Sequence, residues 1–139
     1  MKGLFAKCIS LKKLNFSKFD TSKVTDMSYM FCKCISLQTL CIYNWKTSNV
    51  IDMKYMFYHC SSLKYFKIIT KIDTSNVIDM TNMFSECEEL EELDLSSFCT
   101  DNVIDMSGMI SKCFKLQRIN FHGFTLKNQS IHQILICVF

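Results

Sequence analysis

Nine cysteines, nine methionines and three histidines in 139 residues supply enough side chains for a disulfide framework, a metal centre or a thiol nucleophile. Spacing decides among these. Cys8, Cys34, Cys60, Cys87 and Cys113 follow one another at 26, 26, 27 and 26 residues, the interval of a stacked structural unit and not of a zinc pair. A free cysteine packs as a small apolar residue, so the five are expected to form a buried thiol ladder. Equivalent sites on successive units are expected to lie beyond the ~7 Å Cα separation that a disulfide tolerates. Cys32, Cys41, Cys99 and Cys137 stand off the ladder and are the candidates for oxidation or pairing. Cys32-x-Cys34 is too close for the usual zinc spacing, and no second pair stands at finger distance. His59, His122 and His132 occupy unrelated phases without an implied serine or cysteine partner, so no catalytic, cofactor-binding or metal-ligating residue is assigned.

Methionine pairs such as Met53 with Met56 and Met80 with Met83 could serve a soft metal or an adaptable groove. Recurring in every unit at helical spacing, they read instead as core filler, since an unbranched thioether fits irregular space. Asp26, Asp52, Asp79 and Asp105 could bind calcium, but each unit supplies only one carboxylate and each has a capping role, so no ion is assigned. The tract from Glu86 to Asp94 reads either as an acidic patch or as a solvated face.

These residues belong to a block of about 26 residues that runs through nearly the whole chain. Met27, Met30, Phe31, Cys34, Leu37, Leu40, Thr47, Ser48, Val50 and Asp52 set its pattern. It returns as Met53, Met56, Phe57, Cys60, Leu63, Phe66, Thr74, Ser75, Val77 and Asp79, and again from Met80 and Met106, while the chain opens in phase at Met1. The expected division is a five-copy solenoid over 1–125 (1–26, 27–52, 53–79, 80–105, 106–125), then a degenerate cap or tail over 126–139. The one 27-residue step places an extra residue near Ile69 to Lys71. No unit presents enough apolar surface to fold alone, so neighbours must bury one another.

Within a unit, Met27, Met30, Phe31 and Cys34 sit at i, i+3, i+4 and i+7, the stripe of a short helix, with Asp26 placed to cap its first amides. Leu40 with Ile42, and Leu93 with Leu95, alternate as in a short strand. Thr-Ser-Asn segments favour turns. The expected fold is α/β: a leucine-rich-repeat-like right-handed solenoid, with short parallel strands stacked in a sheet and one short helix per 26-residue repeat.

Met-x-x-Met-Phe-x-x-Cys-x-x-Leu-x-x-Leu followed by Thr-Ser-x-Val-x-Asp resembles the BspA-type leucine-rich-repeat surface proteins over roughly residues 1–125. The resemblance implies a solenoid and cell-surface adhesion or host and matrix binding, and it carries no catalytic residues. The chain is expected to depart from that family in having no signal or lipid anchor, and it differs in the turn at Thr100-Asp101 and in losing the motif after Phe124.

Net charge is +3, divided as +4 over 1–26, +1 over 27–52, +2 over 53–79, −8 over 80–105 and +4 over 106–139. The acidic fourth unit interrupts the basic stripe that a nucleic-acid binder needs. No proline and three glycines argue against linkers and phosphate-holding loops. Met1 to Cys8 already follow the repeat, so no secretory signal is expected within this sequence, and the most apolar stretch, Ile131 to Phe139, is shorter than the ~20 residues of a membrane span. The chain is expected to be monomeric or a fragment of a longer array.

Outward positions beside the strand leucines are Lys13 and Asn15, Thr39 and Cys41, Tyr65 and Lys67, Glu92 and Asp94, Arg118 and Asn120. They form the candidate stripe for a protein or glycan partner. The expected function is a non-enzymatic binding module of a surface or secreted adhesin-like protein. An intracellular scaffold of the same fold is the alternative, because reducing compartments preserve free thiols.

Overall fold

The computed structural model describes residues 1–16, 18–42, 45–66, 72–122 and 124. Five strands occur among them, one per repeat: β1 (Lys13–Asn15), β2 (Thr39–Cys41), β3 (Tyr65–Phe66), β4 (Glu92–Asp94) and β5 (Arg118–Asn120). β1 pairs with β2 in parallel, and β3, β4 and β5 form a second parallel sheet in that order. β1, β2, β4 and β5 centre on the inward residues Leu14, Leu40, Leu93 and Ile119, and β3 ends on Phe66; Lys13, Asn15, Thr39, Tyr65, Glu92, Asp94, Arg118 and Asn120 turn outward as the two-residue period requires. A second line of pairing runs along Asp26, Asp52, Asp79 and Asp105, each bridged in parallel to the next. The residue before each Met pair thus links its coil to the next.

The expected helix is not found among the described residues, and the Met-x-x-Met-Phe-x-x-Cys stretch is a spiral of turns. The reason lies in where its amides go. In the second coil Met30, Cys32 and Cys34 donate three residues back, to Met27, Tyr29 and Phe31. Met27, Tyr29, Phe31 and Lys33 instead donate sideways, to Asp52, Lys54, Met56 and Tyr58 of the third coil. Ser28 N–H donates to Asp26 Oδ1 at 2.8 Å, which completes the accounting of every amide from 27 to 34. An α-helix would send each to the residue four back; half of these are taken by the neighbouring coil. The third and fourth coils repeat the scheme.

Backbone angles agree with this reading. Tyr29 (φ 58°) and Lys33 (φ 61°) are left-handed, as are Tyr55 and His59, Asn82 and Glu86, and Gly108 and Lys112. A positive φ at the third residue of a turn closed by an i to i+3 bond marks a type II turn, and no helix accommodates one every four residues.

The inward face of the spiral makes the core. Met27, Met30, Met53, Met56, Met80, Met83, Met106 and Met109 are all buried, as expected of filler. Phe5, Phe31, Phe57 and Phe84 stack along the molecule with centroids 5.5, 5.4 and 5.3 Å apart and rings parallel within 8°. Cys34, Cys60, Cys87 and Cys113 are fully buried, whereas Cys8, expected to be buried with them, is exposed in the first coil. Each buried thiol donates to the carbonyl of the preceding coil's phenylalanine: Cys34 to Phe5 at 3.1 Å, and Cys60 to Phe31, Cys87 to Phe57 and Cys113 to Phe84 at 3.2 Å.

Polar ladders also bind the coils, exposed at the asparagines and buried at the threonines. Asn49, Asn76 and Asn102 each donate from Nδ2 to the Ser22, Ser48 or Ser75 carbonyl one coil back, at 2.7 Å. Thr21 Oγ1 accepts from Lys46 N–H at 2.8 Å and donates to the Lys46 carbonyl at 3.1 Å. Thr74 holds Cys99 in the same two-way manner at 2.8 Å. The Thr-Ser-Asn segments therefore act as clamps between coils in addition to turning the chain.

Candidate functional site

The outward residues of the five strands fall into two rows. Register places Lys13 beside Thr39, and Tyr65 beside Glu92 and then Arg118; in the second row Asn15 lies beside Cys41, and Asp94 beside Asn120. Lys13, Asn15, Thr39, Tyr65, Arg118 and Asn120 are exposed, Glu92 and Asp94 half-buried. Lys67, also assigned to the stripe, lies outside the described residues, as do His132, Cys137, the expected insertion at Ile69 to Lys71 and the segment 126–139. The stripe is brought together in two parts, because β2 and β3 belong to different sheets.

Four of the eight acidic side chains of the fourth coil pair with cations of its neighbours. Arg118 pairs with Glu92, Lys115 Nζ lies 2.7 Å from Glu89, and Lys112 Nζ lies 2.8 Å from Glu86. From the third coil, Lys64 Nζ stands 3.7 Å from Glu91, and the Tyr65 hydroxyl donates to Glu91 at 3.1 Å. His59 Nδ1 lies 3.0 Å from Glu86 Oε2, without hydrogen-bond geometry. The bond from Lys112 holds the Glu86 carboxyl below its ordinary range, with burial opposing and Tyr58 assisting. Lys115 does the same for Glu89, and Glu92 raises the Arg118 guanidinium further. Glu92 is therefore less available to a partner than its place in the sequence implies.

Sequence reasoning missed the residues one step before each strand. Gln117 joins Phe66, Glu92, Asp94, Arg118 and Asn120 around a shallow depression of about 630 Å³ on the β3–β5 face. A second cleft of about 310 Å³ is lined by Gln38, Thr39, Ser62, Lys64 and Tyr65. Tyr65, which lines the second cleft, is 52% exposed. Two-residue alternation marks the residues on either side of each strand leucine, and Gln38 and Gln117 stand one step beyond that pattern.

The Asp column behaves as caps, not of helices but of turns: Lys54, Thr81 and Ser107 amides donate to Asp52, Asp79 and Asp105 at 3.0, 2.9 and 2.8 Å. Lys54 Nζ sits between two rungs, 3.0 Å from Asp52 and 3.4 Å from Asp79, and these bonds raise its pKa, Asp52 first. At Asp105 the Ser107 hydroxyl and amide bonds lower the carboxyl pKa. A cation between the rungs is thus supplied by the chain at Asp52 and Asp79. Among the described residues no three His, Cys, Asp or Glu side chains converge as a metal-binding group, and no helix is long and apolar enough to cross a membrane.

Coils stacked through parallel strands, with one strand per repeat of about 26 residues, define a leucine-rich-repeat type of solenoid. The T. pallidum leucine-rich-repeat protein shares that fold, with a TM-score of 0.52 and 15% identity over 86% of this chain and 60% of its own. The chain belongs to the family described as Mycoplasma protein of unknown function, DUF285, whose model matches residues 1–121. A leucine-rich cell surface protein from Faecalibacterium prausnitzii A2-165 is also similar, at 23% identity and TM-score 0.47, over 79% of this chain and 31% of that one. The chain thus spans less than two thirds of either solved protein. No curated protein matches it.

Proposed function

We propose that this chain is a non-enzymatic repeat module that binds a protein partner across its strand face, as part of a BspA-type, adhesin-like cell-surface or secreted protein. The observation that carries the reading is the contrast between rows on the same strands. Inward positions hold Leu14, Leu40, Phe66, Leu93 and Ile119, always apolar, while the adjacent outward row runs Lys13, Thr39, Tyr65, Glu92, Arg118. Packing dictates the first row; the fold makes no such demand on the second. Tyr65 and Arg118 are the side-chain types that anchor protein interfaces. The exterior location rests on the resemblance of the repeat to the BspA-type surface proteins.

An intracellular scaffold is the second reading, favoured by the free cysteines among the described residues, of which Cys8 is exposed. Photo-cross-linking from two positions tests the binding face. A photoreactive residue in place of Tyr65 should join a protein partner on whole cells, and one in place of Lys33, on the turn side, should not. Adducts from Lys33 alone would overturn the strand-face reading. Protease added to intact cells separates the two locations, since only an exterior module is removed.

A further inference from the structure

We infer that the solenoid flexes at the seam between its second and third coils, opening and closing the strand face there while the coils on either side move as units. The inference goes beyond the binding reading and depends on no ligand. Elsewhere each coil's strand side is tied to the one before by the same bond: Gln38 N–H to Lys12 at 2.9 Å, Glu91 N–H to Lys64 at 2.8 Å, Gln117 N–H to Glu91 at 3.0 Å. Among the described residues the corresponding bond, Lys64 N–H to the Gln38 carbonyl, is not formed, and β2 and β3 do not pair.

Independent signs mark the same seam. Thr21 and Thr74 each clamp the next coil's backbone in both directions, but Thr47, equally buried at 2% exposure, has no partner for Oγ1 among the described residues. Gln38 and Thr39 of the second coil face Ser62, Lys64 and Tyr65 of the third across the 310 Å³ cleft. The third coil also holds the 27-residue step, so its length does not match that of the second.

The rest of the seam is intact, which gives the motion its axis. Met27, Tyr29, Phe31 and Lys33 donate to the third coil, Ile78 N–H donates to Ile51 at 2.9 Å, and Asp52 bridges Asp79. Bonds on the turn and Asp sides form the hinge; the strand side is the mouth. Movement about a few intact contacts of this kind falls in the μs–ms range.

Amide 15N relaxation dispersion on the whole chain tests this. Exchange contributions are expected at Thr39, Lys64 and Tyr65, with flat profiles at Glu91, Glu92, Gln117 and Arg118. Flat profiles at the first three, or equal dispersion at every seam, overturn the inference. A substitution series reads the same seam by stability. Thr21→Val and Thr74→Val, which lose clamping bonds, should lower the urea midpoint, and Thr47→Val should leave it unchanged or raise it, because burying an unbonded hydroxyl is unfavourable. An equal fall in all three would show the Thr47 clamp closed and the seam shut.

Discussion

Cysteine at the ladder position combines the size of a small apolar residue with a donor, and both properties are used. The Phe31 carbonyl accepts Cys34 N–H at 3.0 Å within its own coil and Cys60 Sγ at 3.2 Å from the next. Alanine would forfeit volume and bond together, so Cys87→Ala should cost about 1–3 kcal/mol in urea unfolding. Burial pushes the ladder thiols up from their ordinary 9.0, to about 11 at Cys34 and about 12 at Cys113. The folded chain then holds protons that the unfolded chain releases, which fixes the sign. Stability is fully present below pH 9 and is lost as pH rises through 11 and 12; urea midpoints from pH 8 to 11 should fall, and a flat profile would place the thiols in water. Iodoacetamide at pH 8 should label exposed Cys8 well before the four buried thiols, read by mass spectrometry. The ladder itself was legible from an interval of 26 residues. Its donor role was not, because the accepting carbonyl belongs to a residue nearly 30 positions away. The exposure of Cys8 was also illegible, since the interval equates it with residues whose thiols each reach a phenylalanine carbonyl of a preceding coil.

At the scale of the element, the pattern i, i+3, i+4, i+7 belongs to a spiral of turns as well as to a helix. Both curl the chain fast enough to return Met27, Met30, Phe31 and Cys34 to one side, so apolar spacing alone does not separate them. The discriminating signal is backbone angle, and the sequence carries a trace of it. Gly3 and Gly108, two of the three glycines, occupy the repeat position that Tyr29, Tyr55 and Asn82 hold elsewhere, all with positive φ. Strands were legible because two-residue alternation has no such double, and β1, β2, β4 and β5 fall on the residues flanking Leu14, Leu40, Leu93 and Ile119. Substitutions separate turn from helix by sign. Lys33→Gly should be neutral or stabilising by up to about 1 kcal/mol, since glycine removes the left-handed penalty; in a helix it would cost about 1 kcal/mol. Gly108→Ala should destabilise by about 1–3 kcal/mol, because φ is +64° and its Cβ would stand 2.5 Å from Asn82 Oδ1.

For the whole molecule, the uneven charge of the units acquires a reason. A fourth coil carrying −8 lies between coils that present Lys64 on one side and Lys112, Lys115 and Arg118 on the other. Charge thereby favours this order of coils over a slipped one, where like charges would meet. Replacing Lys112 and Lys115 by glutamate should lower the urea midpoint in dilute buffer, and most of the loss should vanish in 1 M salt, where screening shortens to about 3 Å. A loss that persists in salt would assign these residues a packing role instead. The same pairing reshapes the candidate stripe: its members were legible from alternation, but the commitment of Glu92 to Arg118 depends on register between repeats and not on either residue. The strand-face contacts expected of Tyr65 and of Lys13, which has no ion pair among the described residues, gain weight accordingly.

The central claim is that each coil gives half of its turn amides to the next coil, and through-hydrogen-bond scalar couplings read that directly. The account predicts couplings from the amide nitrogens of Phe31, Phe57 and Phe84 to the carbonyl carbons of Met56, Met83 and Met109. Couplings from those nitrogens to Met27, Met53 and Met80, four residues back, would restore the helix and contradict it.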